Sequence, residues 1–184
     1  MILVLFVSSI GMAFAQDVRF GLEVGANLSS LMGSASSSTN VSKLGIVGGG
    51  FLCFDLGNAL ALRPELLYEQ KGVASSSANV WLEYDYIELP VLMKLSLGTP
   101  AVNPSILFGP AFSLNTSGQY YNSVASIPLK NMSALDVGIV GGLELDLDKF
   151  LISGRYELGL ANVNSTGASI QNDTFTFLVG YSLM

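Results

Sequence analysis

Apolar and polar positions alternate along most of this chain. Eight segments show the two-residue period of a β-strand, in which successive side chains point to opposite faces. Within each segment one parity is apolar and uncharged, as at Phe20, Leu89 and Ile139. The pattern predicts an all-β protein with eight strands, covering residues 18–28, 44–56, 60–69, 87–97, 104–114, 135–147, 150–160 and 175–183.

The opposite parity of the same segments carries the charged residues, interspersed with glycine. Positive and negative side chains lie two residues apart, as in Arg63 with Glu65 and Arg155 with Glu157. Such pairs can neutralise one another in a confined space, so we expect a structural ion-pair network on this face. Its members are Arg19, Glu23, Asp55, Arg63, Glu65, Glu69, Glu88, Lys94, Asp136, Glu144, Asp146, Arg155 and Glu157.

The alternation alone fits two architectures of opposite polarity. A soluble barrel would turn the apolar face inward, whereas an outer-membrane barrel turns it outward to lipid. The polar face is rich in small residues such as Gly21, Gly49 and Gly109, which suit the crowded inside of a narrow barrel. We therefore predict an eight-stranded antiparallel up-and-down transmembrane β-barrel. A soluble barrel that binds an apolar ligand stays open as the alternative.

Connections between the predicted strands alternate in length. Those after the first, third, fifth and seventh strands are long and polar, at residues 29–42, 72–80, 115–130 and 161–173. The other three are short, at 57–59, 98–103 and 148–149. Long outer loops with short periplasmic turns are typical of outer-membrane barrels. We expect one barrel domain with both termini in the periplasm and a side-chain-filled lumen.

The first 15 residues form an apolar run that ends in Ala13-Phe14-Ala15. This predicts a signal peptide over residues 1–15, followed by the barrel over 16–184. A positively charged segment before the run is missing, since the first basic residue is Arg19. Export together with alternating strands predicts the outer membrane of a Gram-negative bacterium.

Aromatic residues near the strand ends are candidates for the interfacial belts of a membrane barrel. Tyr68, Trp81, Tyr84 and Tyr86 lie near the outer ends of the third and fourth strands. Phe54 and Tyr181 lie toward the opposite end. Glu83 and Asp85 share the lipid-facing parity, and we expect them to stand above the hydrocarbon.

The composition argues against catalysis. The chain has no histidine, which excludes Ser-His hydrolytic arrangements and histidine metal sites. Glu65 and Glu69 share one face and Glu88 lies on the next strand, so two of the three could act as an acid–base pair, but a structural network explains them better. Cys53 is the single cysteine, so it has no disulfide partner within the chain. We expect no catalytic residue, no metal and no cofactor.

Several stretches resemble the outer-membrane β-barrel domain family common in Bacteroidetes, which includes the PorT-like proteins. They are FGLEVGANLS at 20–29, LRPELLY at 62–68, YIELPVLMK at 86–94, FGP at 108–110 and RYELGL at 155–160. The resemblance covers essentially the whole chain after the signal peptide. It implies a small eight-stranded barrel, and a few members of the family are tied to protein secretion.

The leading functional hypothesis is a non-enzymatic integral outer-membrane protein. It would have a structural role, or interact through its outer loops within a larger envelope or secretion assembly. A passive small-solute pore is the second hypothesis. Expected partners are outer-membrane lipids and other envelope proteins, and the barrel is expected to be monomeric. With a net charge of −6 and no basic patch, nucleic acid is not an expected partner.

Overall fold

The computed structural model describes residues 18–33, 40–75, 80–99, 101–122, 125–128, 135–160 and 170–183. The predicted signal peptide therefore lies outside the described residues. No helix within the described part of the chain is long and apolar enough to cross a membrane. The strands are β1 (Val18–Gly33), β2 (Asn40–Asp55), β3 (Leu60–Ser75), β4 (Trp81–Ser96), β5 (Val102–Tyr121), β6 (Ser126–Pro128), β7 (Leu135–Leu147), β8 (Phe150–Gly159) and β9 (Ile170–Ser182).

Eight long strands close into an antiparallel barrel. Each long strand pairs with the next long strand in the chain, so β5 pairs with both β4 and β7, and the barrel closes where β1 pairs with β9. β6 is a three-residue strand that pairs only with the far end of β5, from Gln119 to Tyr121. The prediction of an eight-stranded up-and-down barrel is confirmed, and β6 is an addition that the sequence pattern did not reveal.

The apolar parity faces outward and the charged parity faces inward. Phe20, Leu89 and Ile139 are exposed on the outer wall, whereas Glu65 and Arg155 are only 2% and 5% exposed. Because the continuous apolar face covers the exterior and the charged side chains point inward, the soluble barrel that binds an apolar ligand in its centre is wrong. We call the outward apolar band the belt; it covers residues 18–28 on β1, 44–54 on β2, 60–68 on β3, 87–95 on β4, 106–114 on β5, 135–147 on β7, 150–158 on β8 and 175–181 on β9. A tilted strand of about ten residues covers the roughly 25 Å apolar band of such barrels.

The strands are longer than the alternation predicted, and the excess lies at one end. We call this the loop end; the opposite turn end carries the short turns at 57–59 and 148–149. β1 to β5 and β9 continue beyond the belt, so part of each predicted long loop is strand, and β3 and β4 pair there as a hairpin arm. β7 and β8 end near the belt. The sequence pattern did not predict these strand extensions, because they lack a continuous apolar face.

Glycines let the strands approach closely inside the narrow barrel. A Cβ at Gly25 would lie 1.9 Å from the carbonyl oxygen of Phe177, and one at Gly49 would lie 2.0 Å from that of Leu66. No real Cβ comes so close to a backbone oxygen, so only glycine fits these inward positions. The expected role of small residues on the polar face therefore has a steric cause.

Two of the four predicted outer belt aromatics face the wrong way for a belt. Tyr68 and Trp81 are exposed on the outer wall, but Tyr84 and Tyr86 are buried inside the barrel. Tyr84 and Tyr86 share their parity with inward-facing Glu88, and this parity persists along β4. The irregular pairing of β4 with β5 between Asp85 and Tyr86 is accommodated by an extra residue on β5.

Candidate functional site

Five charged side chains meet at the centre of the lumen. Arg63 on β3 lies 2.7 Å from a carboxylate oxygen of Glu23 and 2.8 Å from one of Glu65, and it also pairs with Glu144. Arg155 on β8 reaches Glu65 at 2.5 Å and Glu23 at 3.4 Å. All five side chains are buried. We call them the central cluster; they come from β1, β3, β7 and β8 and so cross the whole bore.

Toward the turn end the network continues through Lys94. Its ammonium group lies 2.7 Å from Glu144 and 2.5 Å from Asp146. At the rim, Arg19 pairs with Asp55 at 3.0 Å, and both side chains are more than one-third exposed. These five charged side chains toward the turn end are therefore paired, and their exposure to solvent increases toward the rim.

Toward the loop end a single cation forms ion pairs with three carboxylates. Lys71 Nζ lies 2.5 Å from Glu157, 2.7 Å from Glu88 and 3.3 Å from Glu69. The hydroxyl of Ser113 also donates to Glu88 at 2.8 Å. We call Lys71 and the three glutamates the upper cluster. All four charged side chains are buried.

Lys71 is the charged lumen residue that the sequence reasoning missed. The predicted third strand ended at Glu69 and the next predicted loop began at Gly72, so Lys71 lay outside every predicted strand. β3 in fact continues to Ser75. Lys71 has the same parity as Arg63, Glu65 and Glu69, so extending the alternation by two residues would have found it.

The remaining predicted network residue, Asp136, is buried on β7 near the loop end. One of its carboxylate oxygens accepts a hydrogen bond from the backbone N–H of Val137 at 2.8 Å. The structure thus brings Glu23, Arg63, Glu65, Glu144 and Arg155 into one cluster and Glu69, Glu88 and Glu157 into another. Lys94 extends the central cluster, while Arg19 stands apart at the rim.

The three carboxylates of the upper cluster are close enough to ligate a metal ion. Their oxygen atoms all lie within 4.8 Å of one another. The ammonium group of Lys71 already contacts each of them, so it supplies the positive charge that a metal would otherwise provide. The geometry is that of a lysine-centred ion-pair cluster.

Apolar side chains fill the bore between the charged clusters. Buried inward-facing residues include Phe51, Leu92, Leu107 and Leu178, and the guanidinium of Arg63 lies 4.1 Å from the centre of the Phe51 ring. The sequence prediction of a lumen made of charges and glycines underestimated this apolar filling. Two lumen cavities of about 20 Å³ each lie on either side of the central cluster. A cavity of that size holds a single water molecule.

A closed antiparallel barrel with an apolar exterior and charged residues in its interior is the architecture of a small outer-membrane barrel protein. The sequence agrees, because a family model for the outer membrane protein beta-barrel domain matches residues 14–165. The chain belongs to this family, and it is an outer-membrane protein of Gram-negative bacteria.

Solved structures show the same fold at low sequence identity. Neisserial surface protein A (NspA) aligns with a TM-score of 0.60 at 12% identity, covering 90% of this chain and 99% of that chain. Ail, the attachment invasion locus protein of Yersinia pestis, aligns with a TM-score of 0.54 at 11% identity, covering 91% and 100%. No sequence among the curated proteins matches the chain. At such identities the structural likeness establishes the fold alone.

Proposed function

We propose that this barrel is a non-conducting, non-enzymatic anchor that carries an interaction surface at its loop end. The observation behind the proposal is the central cluster. Arg63 and Arg155 bridge glutamates from three other positions around the wall, and these contacts occupy the bore at mid-height. A barrel of eight strands has little space in its lumen beyond that filled by side chains. The central cluster therefore blocks the passage of ions through the barrel.

The same contacts support a non-enzymatic role. Each carboxylate of the central cluster is engaged by at least one arginine, and none of these groups is accessible to a substrate. Glu88, the remaining candidate for acid–base chemistry, is buried against Lys71 and Ser113. A general acid or base must reach its substrate within hydrogen-bonding distance, and buried, paired carboxylates do not.

The hairpin arms at the loop end support the interaction role. Tyr68 and Ser117 each donate a hydrogen bond to Asp85 at 2.8 Å, which ties β3, β4 and β5 together just above the belt. Farther out, the rings of Trp81 and Tyr121 stack with centres 5.2 Å apart. Rigid aromatic surface of this kind is enriched at protein–protein interfaces. With both termini periplasmic, this surface faces the medium.

The partner we propose is another envelope protein. Ail has been solved in complex with the heparin analogue sucrose octasulfate, at 12% identity to this chain. A similar polyanion does not fit the described loop end here, because its lysines Lys43 and Lys71 are already paired with glutamates. An envelope partner agrees with the sequence resemblance to the PorT-like group of Bacteroidetes, to which we propose the chain belongs.

Planar-bilayer recording tests closure of the lumen. We expect the purified protein to give no steady conductance, and stable ohmic steps from the intact chain would contradict the proposal. A matched variant pair adds a positive control. The double variant Arg63→Ala, Arg155→Ala removes the two side chains that bridge the bore. It should increase the frequency of brief conductance steps. Arg19→Ala at the rim should leave the recording unchanged.

Affinity capture from outer-membrane extracts tests the interaction surface. The intact barrel is compared with a Trp81→Ser, Tyr121→Ser variant, which removes the ring stack but leaves the belt and lumen untouched. We expect a defined envelope protein to be retained by the intact barrel and lost with the variant. If both proteins retained the partner equally, the Trp81–Tyr121 stack would be excluded as the binding surface.

A further inference from the structure

Directly above the belt, the outer face of β4 carries charges and its inner face carries apolar side chains. Within the belt, outward residues of β4 such as Leu89 are apolar and exposed. Beyond it the next outward positions are Asp85 and Glu83, whereas Tyr84 and Leu82 have the inward parity of the strand. Outside hydrocarbon, apolar side chains are favoured where they avoid water. The loop end therefore has an apolar patch on its inner wall.

One row of inward side chains crosses three strands at this patch. Val73 of β3 pairs with Leu82 of β4, and Leu82 pairs with Tyr120 of β5. Paired residues on one face have Cβ atoms about 4.5–5.5 Å apart, so these three side chains form one local apolar surface. Val73 is buried, whereas Leu82 and Tyr120 are only half-buried. The row is therefore incompletely covered.

The row lines a pocket of about 220 Å³, which we call the mouth pocket. The end of the β3–β4 hairpin contributes Ser75 and Val80, where the backbone N–H of Ser75 donates to the carbonyl oxygen of Val80 at 3.0 Å. Ala74 and Trp81 also border it. Among the described residues, those that line the mouth pocket are all uncharged. The pocket thus suits a neutral, mainly apolar occupant.

The mouth pocket lies outside the hydrocarbon. The belt ends on β4 at Ile87, and Leu82 lies about 16 Å farther along the strand toward the loop end. The outward charges of Glu83 and Asp85 come between these two positions. The lipid chains that contact the belt therefore do not reach the pocket.

We infer that the mouth pocket binds a small molecule with a single aromatic ring. An apolar cavity of about 150 Å³ accommodates benzene, so a pocket of about 220 Å³ has room for one ring with a small substituent. Drug-sized ligands occupy pockets of about 300 Å³ or more and are too large. The ring of Tyr120 favours an aromatic ligand over an aliphatic one, because aromatic pairs gain more than their area burial. With hydroxyl groups on Ser75 and Tyr120, the lining suits a phenol.

A side chain of a protein partner fits this position less well. Trp81 and Tyr121 have the opposite parity to Leu82 and Tyr120, so their ring stack lies on the outer face of the arm. A protein that docks on the outer stack does not reach the inner face, whereas a small molecule enters from the loop end. The inference is therefore separate from the interaction surface proposed above, and it does not depend on the orientation of the barrel in the membrane.

Methyl NMR spectroscopy tests this inference. The full-length protein in lipid nanodiscs is titrated with p-cresol, and the methyl signals of Val73 and Leu82 are compared with those of Leu143, which is exposed on the belt. A bound ring shifts the signals of methyl groups beside it. We expect saturable shifts at Val73 and Leu82, whereas p-cresol dissolved in lipid shifts Leu143 in proportion to its concentration. The charged analogue 4-hydroxybenzoate should bind at least about tenfold more weakly, because an apolar pocket disfavours an unpaired charge.

Two adjacent residues of β5 give matched variants. Tyr120→Ser removes the inward ring and should weaken p-cresol binding by about tenfold or more, whereas Gln119→Ser on the outer face should leave the affinity unchanged. Leu82→Ser replaces the tyrosine variant if that variant does not fold, as judged by heat-modifiable gel migration.

Three results would overturn the inference. The first is a shift at Val73 that stays proportional to the p-cresol concentration, in step with Leu143. The second is an unchanged affinity of the folded Tyr120→Ser variant. The third is displacement of a captured envelope protein by p-cresol, which would assign the mouth pocket to that partner. The saturable shifts are measured without any partner, so failure of the proposed interaction surface would leave them unaffected.

Discussion

Arg63 and Glu144 are 81 residues apart in the chain, yet they form an ion pair across the lumen. One guanidinium nitrogen of Arg63 on β3 donates to Oε1 of Glu144 on β7 at 2.5 Å. The two strands lie on nearly opposite walls of the barrel. The pair therefore connects the two sides of the molecule at mid-height, and its partners Glu23 and Glu65 complete the closure.

Removing this arginine should destabilise the barrel strongly. Arg63→Ala leaves the carboxylates of Glu23, Glu65 and Glu144 buried with too little positive charge, which costs about 3–5 kcal/mol of unfolding free energy. Arg19→Ala breaks an exposed pair and should cost no more than about 1 kcal/mol. Urea unfolding in lipid vesicles, followed by heat-modifiable gel migration, measures both. Equal costs would show that the central cluster adds nothing beyond a surface pair.

The upper cluster predicts unequal effects for its cation and its carboxylates. Lys71→Met leaves three clustered carboxylates without their ammonium group and should cost about 3–5 kcal/mol at neutral pH. Glu157→Gln removes the repulsion between Glu157 and the other two carboxylates, and Lys71 stays paired with Glu69 and Glu88. The variant should therefore change the free energy of unfolding by less than about 1 kcal/mol.

Acidic buffer should reduce the difference in stability loss between Lys71→Met and Glu157→Gln. Protonated carboxyl groups no longer repel one another, so the deficit of Lys71→Met should shrink as the pH falls. The measurement is the same unfolding titration repeated in acidic and neutral buffer. A deficit that is constant with pH would mean that lost packing of the lysine stem, not charge, sets the cost.

Arginine scanning along β7 tests the belt. Leu143 and Leu135 are almost equally exposed, at 67% and 63%, but Leu143 lies near mid-belt and Leu135 at its loop-end limit. Leu143→Arg should cost about 2–4 kcal/mol and Leu135→Arg about 0–1 kcal/mol, because the penalty of a charge in hydrocarbon depends on depth. Unfolding titrations in vesicles report the difference. If this wall faced water, the two arginine substitutions would have similar costs. Equal losses of unfolding free energy in lipid vesicles would therefore contradict the assignment of the belt to hydrocarbon.

Inward and outward glycines should respond oppositely to alanine. Gly49→Ala places a Cβ 2.0 Å from a backbone oxygen and should cost about 1–3 kcal/mol through backbone displacement. Gly141→Ala meets nothing within 4 Å and should stabilise the strand by about 0.5–1 kcal/mol, since glycine loses more backbone entropy on folding. Refolding yield and urea midpoints in vesicles measure both variants. A neutral Gly49→Ala would refute the close approach of β2 and β3.

The ends of the strands could not be read from the sequence. A strand segment in hydrocarbon must show an apolar face, so the alternation predicted the belt well. Above the belt that requirement disappears, and the arms of β3 and β4 read as loop. Lys71 was therefore assigned outside the barrel, and Tyr84 and Tyr86 were assigned to its surface.

By itself the sequence determined which face each residue of the belt occupies, because the two-residue period of a strand depends only on local backbone geometry. It determined the eight long strands in the same way, but the alternation fitted a barrel of either polarity, and the small residues of the charged face only favoured an apolar exterior. Only the tertiary structure decided which charges meet. Pairing of Arg63 with Glu144, or of Lys71 with Glu157, depends on the register between strands and on the closure of β1 onto β9. Those relations are fixed by the stagger of the whole barrel, and no local pattern records them.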